Sequence, residues 1–184
     1  LFRFKGKILT VRLRKAKWTV VLSFTGEHTQ KVDGKGRMSI PADFRRVLES
    51  QDPDWTDGLN PRMYLLYGDH LKKELHVYTV AEFAKLVDMI NALPKGSDAK
   101  KKLSHLYIGQ SMRMEIDKDG RTVMPIRQRE KLGLKDGELY FRGVGDHFEI
   151  WKSETFTKTV VEDMTSWLDS QGDDFDPLSL LGEG

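Results

Sequence analysis

Val32-Asp33-Gly34-Lys35-Gly36-Arg37-Met38-Ser39-Ile40-Pro41 returns 84 positions later as Ile116-Asp117-Lys118-Asp119-Gly120-Arg121-Thr122-Val123-Met124-Pro125, with Asp, Gly, Arg and Pro matched in place. A duplicated string of this kind points to a duplicated structural unit, and it constrains the fold more than any single predicted element. Downstream, Gly68-Asp69-His70 is echoed by Gly145-Asp146-His147, and the stretch from Leu75 to Phe83 by the stretch from Phe148 to Phe156. The offset shrinks from 84 to 77 and then 73, so the first copy carries the longer loops.

Each copy reads as the same unit. A strand with period-two alternation, clearest at Met112, Met114 and Ile116, runs into a tight turn and a short second strand. Pro41 and Pro125 suit a first helical position, where a missing N–H costs nothing, and predict short helices from Pro41 to Leu48 and from Pro125 to about Leu132, with Gly133 ending the second. A hairpin follows in each copy, then a longer amphipathic helix. Over 79–93, Val80, Phe83, Val87 and Ile90 share a face, Thr79 and Glu82 form a capping box and Pro94 ends the run. Over 154–168, Phe156, Val160, Met164 and Trp167 share a face with Ser153 as the cap. Helical spacing alone assigns both faces to core packing, with subunit contact as the alternative. A further helix from about Ser97 to Tyr107 joins the copies.

The expected fold class is α+β: two tandem halves of a β-barrel with amphipathic helices, the first over 24–95 and the second over 96–168. Residues 1–23 carry seven Lys and Arg and no acid, and residues 169–184 five acids and no base. The chain's net charge of +2 therefore conceals a neutral body. The basic segment reads either as an extended translation start or as a basic arm, and the acidic end as a loose tail. Residues 49–62, with two prolines, read as a long exposed loop. Any nucleic acid would have to be held by a local basic patch and not by global charge.

The turn itself has a readable chemistry. Asp33 and Asp117 stand where a carboxylate can accept backbone N–H groups across the bend, and Gly36 and Gly120 permit the positive φ such a bend requires. Arg37 and Arg121 follow on that rigid support and either pair with the aspartates or project a five-donor fork outward; Lys35 adds a base in the first copy. A projecting fork can grip phosphate or read the O6 and N7 acceptors of guanine, for about 1 to 3 kcal/mol of discrimination.

Other chemistries find no support. Cysteine is absent, which excludes disulfides, thiolate metal sites and cysteine nucleophiles, and no apolar run reaches the roughly 18 residues of a membrane span. The five histidines, at 28, 70, 76, 105 and 147, form no HExxH motif and no hydrolase triad, so no enzyme site is expected. Asp69-His70 and Asp146-His147 fall in predicted hairpin turns, where a solvated histidine is the simpler reading. No metal and no cofactor is expected.

The string Asp33-x-Lys35-Gly36-Arg37-x-x-Ile40-Pro41-x-x-x-Arg45 resembles the signature of the MraZ family, with Phe24 and Gly26 similar to the start of its members. The second copy, from Ile116 to Arg129 and on through Leu132-Gly-Leu-Lys-Asp-Gly-Glu138, is similar to the AbrB-type swapped-hairpin DNA-binding module. The resemblance spans residues 24 to about 168. It implies that the two copies interlock as a pseudo-dimer within one chain, and that the protein is a cytoplasmic, nucleoid-associated transcriptional regulator. The implied partner is double-stranded DNA, in the form of repeated G-rich boxes upstream of the bacterial division and cell-wall cluster, its own gene included. It further implies a homo-oligomeric ring, and assigns DNA reading to Lys35, Arg37 and Arg121 with Asp33, Gly36, Asp117 and Gly120 as turn anchors. Arg45, Arg46, Arg127 and Arg129, on the helices after the prolines, read as solvated helix faces, with phosphate contact, at Arg45 and Arg127 above all, as the alternative. In the second copy Asp119 stands where Lys35 stands in the first, so the first copy is expected to contribute more binding energy. A nonspecific DNA-binding or structural assembly protein on the same fold is the competing reading.

Overall fold

The computed structural model describes residues 22–172 and 174–182. The segment read as a basic arm therefore lies outside the described residues, apart from Leu22 and Ser23. In chain order the elements are β1 (Glu27–Val32), β2 (Arg37–Ser39), α1 (Ala42–Ser50), β3 (Arg62–Leu66), β4 (Glu74–Tyr78), α2 (Val80–Ala92), α3 (Asp98–Leu103), β5 (Ser111–Glu115), β6 (Arg121–Val123), α4 (Ile126–Lys131), β7 (Gly137–Gly143), β8 (His147–Lys152), α5 (Ser153–Phe156) and α6 (Glu162–Asp169). Wider π-helical turns continue α3 through Ser104–Gly109 and join α5 to α6 through Thr157–Val161.

The eight strands make one antiparallel sheet in the order β5-β3-β4-β8-β7-β1-β2-β6. Its ends meet at the second turn, where the Asp117 N–H donates to the Arg121 carbonyl at 2.8 Å, so the sheet nearly closes on itself as a barrel. The pairings run mostly between copies. β1 of the first lies on β7 of the second, β3 on β5, β4 on β8 and β2 on β6. Each half thus lends its hairpin to the other, and a pseudo-twofold axis passes through the β4–β8 and β2–β6 seams. This is the interlocked pseudo-dimer that the family resemblance implied.

Alternation fills the interior. Val32, Met38, Ile40, Met63, Leu65, Leu75, Val77, Met114, Ile116, Met124, Leu139, Phe141, Phe148 and Ile150 all point into one core. α1 presses Phe44, Val47 and Leu48 onto it, and Phe44 meets Phe24 and Phe148 with ring centroids 5.4 and 4.9 Å apart. Truncating such a fully enclosed Phe costs roughly 3 to 5 kcal/mol.

The predicted helices are present, but Pro41 and Pro125 stand just before α1 and α4 with extended ψ, as N-caps and not as first helical residues. Thr79 caps α2 by accepting the Glu82 N–H at 3.1 Å, but Ser153 is no cap: among the described residues its buried hydroxyl has no partner, and α5 starts after Lys152. The predicted core face of the last helix is split by the π turn. Phe156 is buried, stacked 4.2 Å from Tyr140, whereas Val161, Met164, Trp167 and Leu168 emerge into the open. The acidic tail is not wholly loose, since Pro177–Gly182 forms a 3₁₀ turn and Phe175 sits edge-on to Trp167 at 5.4 Å.

The 49–62 stretch is also tied down more firmly than its composition suggests. The buried Asp52 carboxylate accepts the Arg62 backbone N–H at 3.0 Å and pairs with the Arg62 guanidinium, which holds that carboxyl below the usual range. A buried pair of this kind orders a polar loop that has little apolar surface of its own.

Candidate nucleic-acid interface

The two turns are built alike. In the first, Asp33 Oδ1 accepts the N–H groups of Lys35 and Arg37, both at 2.9 Å, and the Gly36 N–H donates to the Asp33 carbonyl at 2.8 Å. In the second, Asp117 Oδ1 accepts from Asp119 at 2.9 Å and Arg121 at 2.8 Å, and the Gly120 N–H donates to the Asp117 carbonyl at 2.9 Å. Gly36 at φ +86° and Gly120 at φ +78° occupy left-handed conformations. The two bends thus share one hydrogen-bonding geometry.

What holds the turns from behind was invisible in the sequence. The Gly36 carbonyl accepts the Met124 N–H at 2.8 Å, and the Gly120 carbonyl accepts the Ile40 N–H at 3.0 Å, so each bend is fastened to the other copy. Two arginines complete the exchange. Arg129, on the second copy's α4, is buried under the first turn and donates to the Gly34 carbonyl at 3.1 Å and to the Lys135 carbonyl. Arg45, its counterpart on α1, donates to the Ile40 carbonyl at 3.1 Å and packs beneath Gly120, where a Cβ would stand 1.8 Å from its Nη1. The solvated helix face expected for Arg45 is therefore not what the fold makes of it. Its guanidinium faces inward, because the swapped second turn covers it.

Arg37 and Arg121 are brought together by the β2–β6 seam. Arg37 pairs with Val123 and Ser39 with Arg121, which sets all four on the outer face of a two-stranded ribbon, while Met38 and Thr122 point inward. Both arginines border the same two shallow depressions, one shared with Lys31 and Ser39, the other with Asn60, Arg113 and Asp117. They differ in their partners. Arg37 Nε donates to Asp33 Oδ2 at 2.6 Å, yet its side chain stays 60% exposed and its terminal nitrogens have no further protein partner among the described residues. The backbone N–H of Arg37, and after it this side-chain pairing, hold the Asp33 carboxyl below the usual carboxylate range. The Arg121 guanidinium has no ion-pair or hydrogen-bond partner among the described residues, and its side chain is exposed.

Lys35 is exposed at the tip of the first turn. Arg127 lies elsewhere, over the Tyr67 ring at 5.9 Å, in a depression with Asp69, Gln128 and Lys131 that neither motif arginine borders. Lys31, Ser39 and Val123 escaped the sequence reading, although period-two alternation outward from Arg37 and Arg121 would have found Ser39 and Val123.

The model of a family described as "MraZ protein, putative antitoxin-like" matches residues 23–104 and again 108–172. The chain belongs to the MraZ family. It is 44% identical over 158 residues to a transcriptional regulator MraZ of Ruegeria pomeroyi, covering 86% of this chain and 94% of that protein. A transcriptional regulator MraZ of Cereibacter sphaeroides is 36% identical over 167 residues, 88% of this chain and 96% of that protein. One from Leuconostoc mesenteroides is 30% identical over 156 residues, 85% and 94% respectively. The family assignment agrees with the interlocked fold, and MraZ proteins carry the name of regulators, not of enzymes. Among the described residues no helix is long and apolar enough to cross a membrane.

Proposed function

We propose that this protein is a transcriptional regulator that binds double-stranded DNA in a sequence-specific manner through its β2–β6 ribbon. The observation that carries the reading is the joint display of Arg37 and Arg121 on one outward strip, each fixed at its base by a glycine turn locked into the opposite copy. Fixed backbone and free terminal nitrogens are what bidentate guanine reading requires, since little conformational freedom remains to be lost on binding. Lys35 at the first tip adds a phosphate or base contact. Arg127 is retained as a peripheral phosphate contact, and Arg45 acts as a support of the second turn.

The targets are repeated G-rich boxes upstream of the division and cell-wall cluster, the protein's own gene among them, and the protein works in the cytoplasm at the nucleoid. One short strip per chain offers few contacts, so tight binding needs several chains at once. Assembly into a homo-oligomeric ring would present one strip per subunit to successive boxes and raise the effective concentration for each further contact. The uncovered Met164, Trp167 and Leu168 on α6 supply an apolar face for the subunit contact.

Titration of a duplex bearing several direct G-rich boxes, followed by anisotropy at several salt concentrations, tests the proposal. Affinity should fall with salt, depend on the spacing of the boxes, and exceed that for an unrelated duplex by at least about a thousandfold. Equal affinity for both duplexes would instead support nonspecific binding, and no binding to either would support a purely structural role.

A further inference from the structure

We propose that His76, His147 and Glu149 form a binding site for one divalent transition-metal ion of the zinc class, on the outer face of the β4–β8 seam. The three side chains offer ligand atoms that all lie within 4.8 Å of one another. Donors around a tetrahedral zinc stand about 3.3 Å apart, so small side-chain rotations suffice to close the set.

The sheet builds this cluster. His76 is directly opposite Glu149 in the β4–β8 register, and His147 opposes Tyr78 two residues away on the same face. His147 therefore does not sit in a solvated turn, as its sequence context suggested; it heads β8 and is largely covered. Its Nδ1 is bonded to Asp146 Oδ1 at 2.7 Å, while its Nε2 is buried with no partner among the described residues. A carboxylate on one ring nitrogen orients the imidazole and leaves the other lone pair for a metal, which is how metal-ligating histidines are held. The orphaned nitrogen is costly as it stands, and an ion would satisfy it.

The other two ligands are also prepared. His76 makes no hydrogen bond among the described residues, so its ring nitrogens are open to a ligand. The His76 and His147 rings lie 4.5 Å apart and tilted by 34°, close enough for both to face one ion. Glu149 Oε2 accepts the Trp151 indole N–H at 2.9 Å and lies 3.9 Å from Arg142, leaving the second carboxylate oxygen available. Two imidazoles and one carboxylate favour zinc, nickel or copper over magnesium or calcium. In the sheet order this seam lies opposite the β2–β6 ribbon. The ion would thus pin the two copies together on their pseudo-twofold axis without touching Arg37 or Arg121.

The full chain, freed of metal by a chelator, should bind one zinc per chain in a calorimetric titration with a Kd of about 1 to 10 μM, and should melt at higher temperature in excess zinc. Cobalt should give the visible absorption of a four-coordinate ion, and magnesium should do neither. His147→Gln and Glu149→Gln should each weaken zinc at least about tenfold, whereas His105→Gln, on an exposed residue, should not. Should either variant fail to fold, zinc protection of the wild-type His76 and His147 from an acylating reagent, read by mass spectrometry, decides the matter. No binding at about 1 mM zinc, binding unchanged in the folded variants, or labelling of both histidines unaffected by zinc would each overturn the proposal.

Discussion

The two turns share a backbone and differ in charge. Around Gly36 stand Lys31, Lys35 and Arg37; at the matching places around Gly120 stand Glu115, Asp119 and Arg121. The supports differ as well. The first turn rests on the buried Arg129, which donates to two carbonyls, the second on the half-buried Arg45, which donates to one. Duplication therefore preserved the geometry of the bend while the side chains that face outward diverged. The structure retains what fixes an arginine in place on both sides and a field that attracts a polyanion on only one. The comparison makes the first turn the more positively charged and the more firmly seated one.

The comparison is broken most severely at the glycines. Gly36→Ala forces an unfavourable φ and sets a Cβ 2.3 Å from the Met124 carbonyl, a backbone atom that cannot step aside. Denaturant unfolding should show a loss of about 3 kcal/mol or more. Next come the supports. Arg129→Ala leaves two carbonyls without their donor and should cost about 2 to 3 kcal/mol, against about 1 kcal/mol for Arg45→Ala. Equal losses would mean that the two turns are seated alike.

How much of this could be read in advance follows the range of the interactions. The repeat, the four short and long helices and the anchoring of each bend by Asp and Gly are local, and alternation or capping chemistry exposes them. The exchange of Arg45 and Arg129 between copies depends on pairing of segments about 80 residues apart, and nothing near either arginine encodes it. The meeting of His76 with Glu149 has the same origin, since it exists only through the β4–β8 register. The exposed second half of the last helix was hidden for another reason. Its apolar spacing is that of a core helix, but the π turn at Thr157–Val161 changes the face it presents.

On the binding side, removing the second reader should matter less than removing the first. Arg121→Ala is expected to weaken a G-rich duplex about fivefold to tenfold, whereas Arg37→Ala should weaken it by roughly 10- to 100-fold. Asp119→Lys restores the missing base at the second tip; it should tighten binding a few-fold and steepen the salt dependence by about one phosphate contact. The smallest effect concerns Asp33. Because its folded-state pKa is depressed, its contribution to stability is present above the ordinary carboxylate value of about 4 and is lost as the pH falls through the lower folded value. Thermal unfolding of wild type and Asp33→Asn should accordingly differ at pH 7 and converge in acid.

The most direct measurement pairs the affinity of wild type and Arg37→Ala for a G-rich box duplex and for an unrelated duplex with their melting temperatures. The account predicts that the variant's preference for the box collapses toward its nonspecific affinity while Tm moves by no more than a degree or two, since the exposed Asp33–Arg37 pair is screened by solvent and contributes little to stability. A variant that keeps its full preference for the box, or that unfolds for want of Arg37, would contradict it.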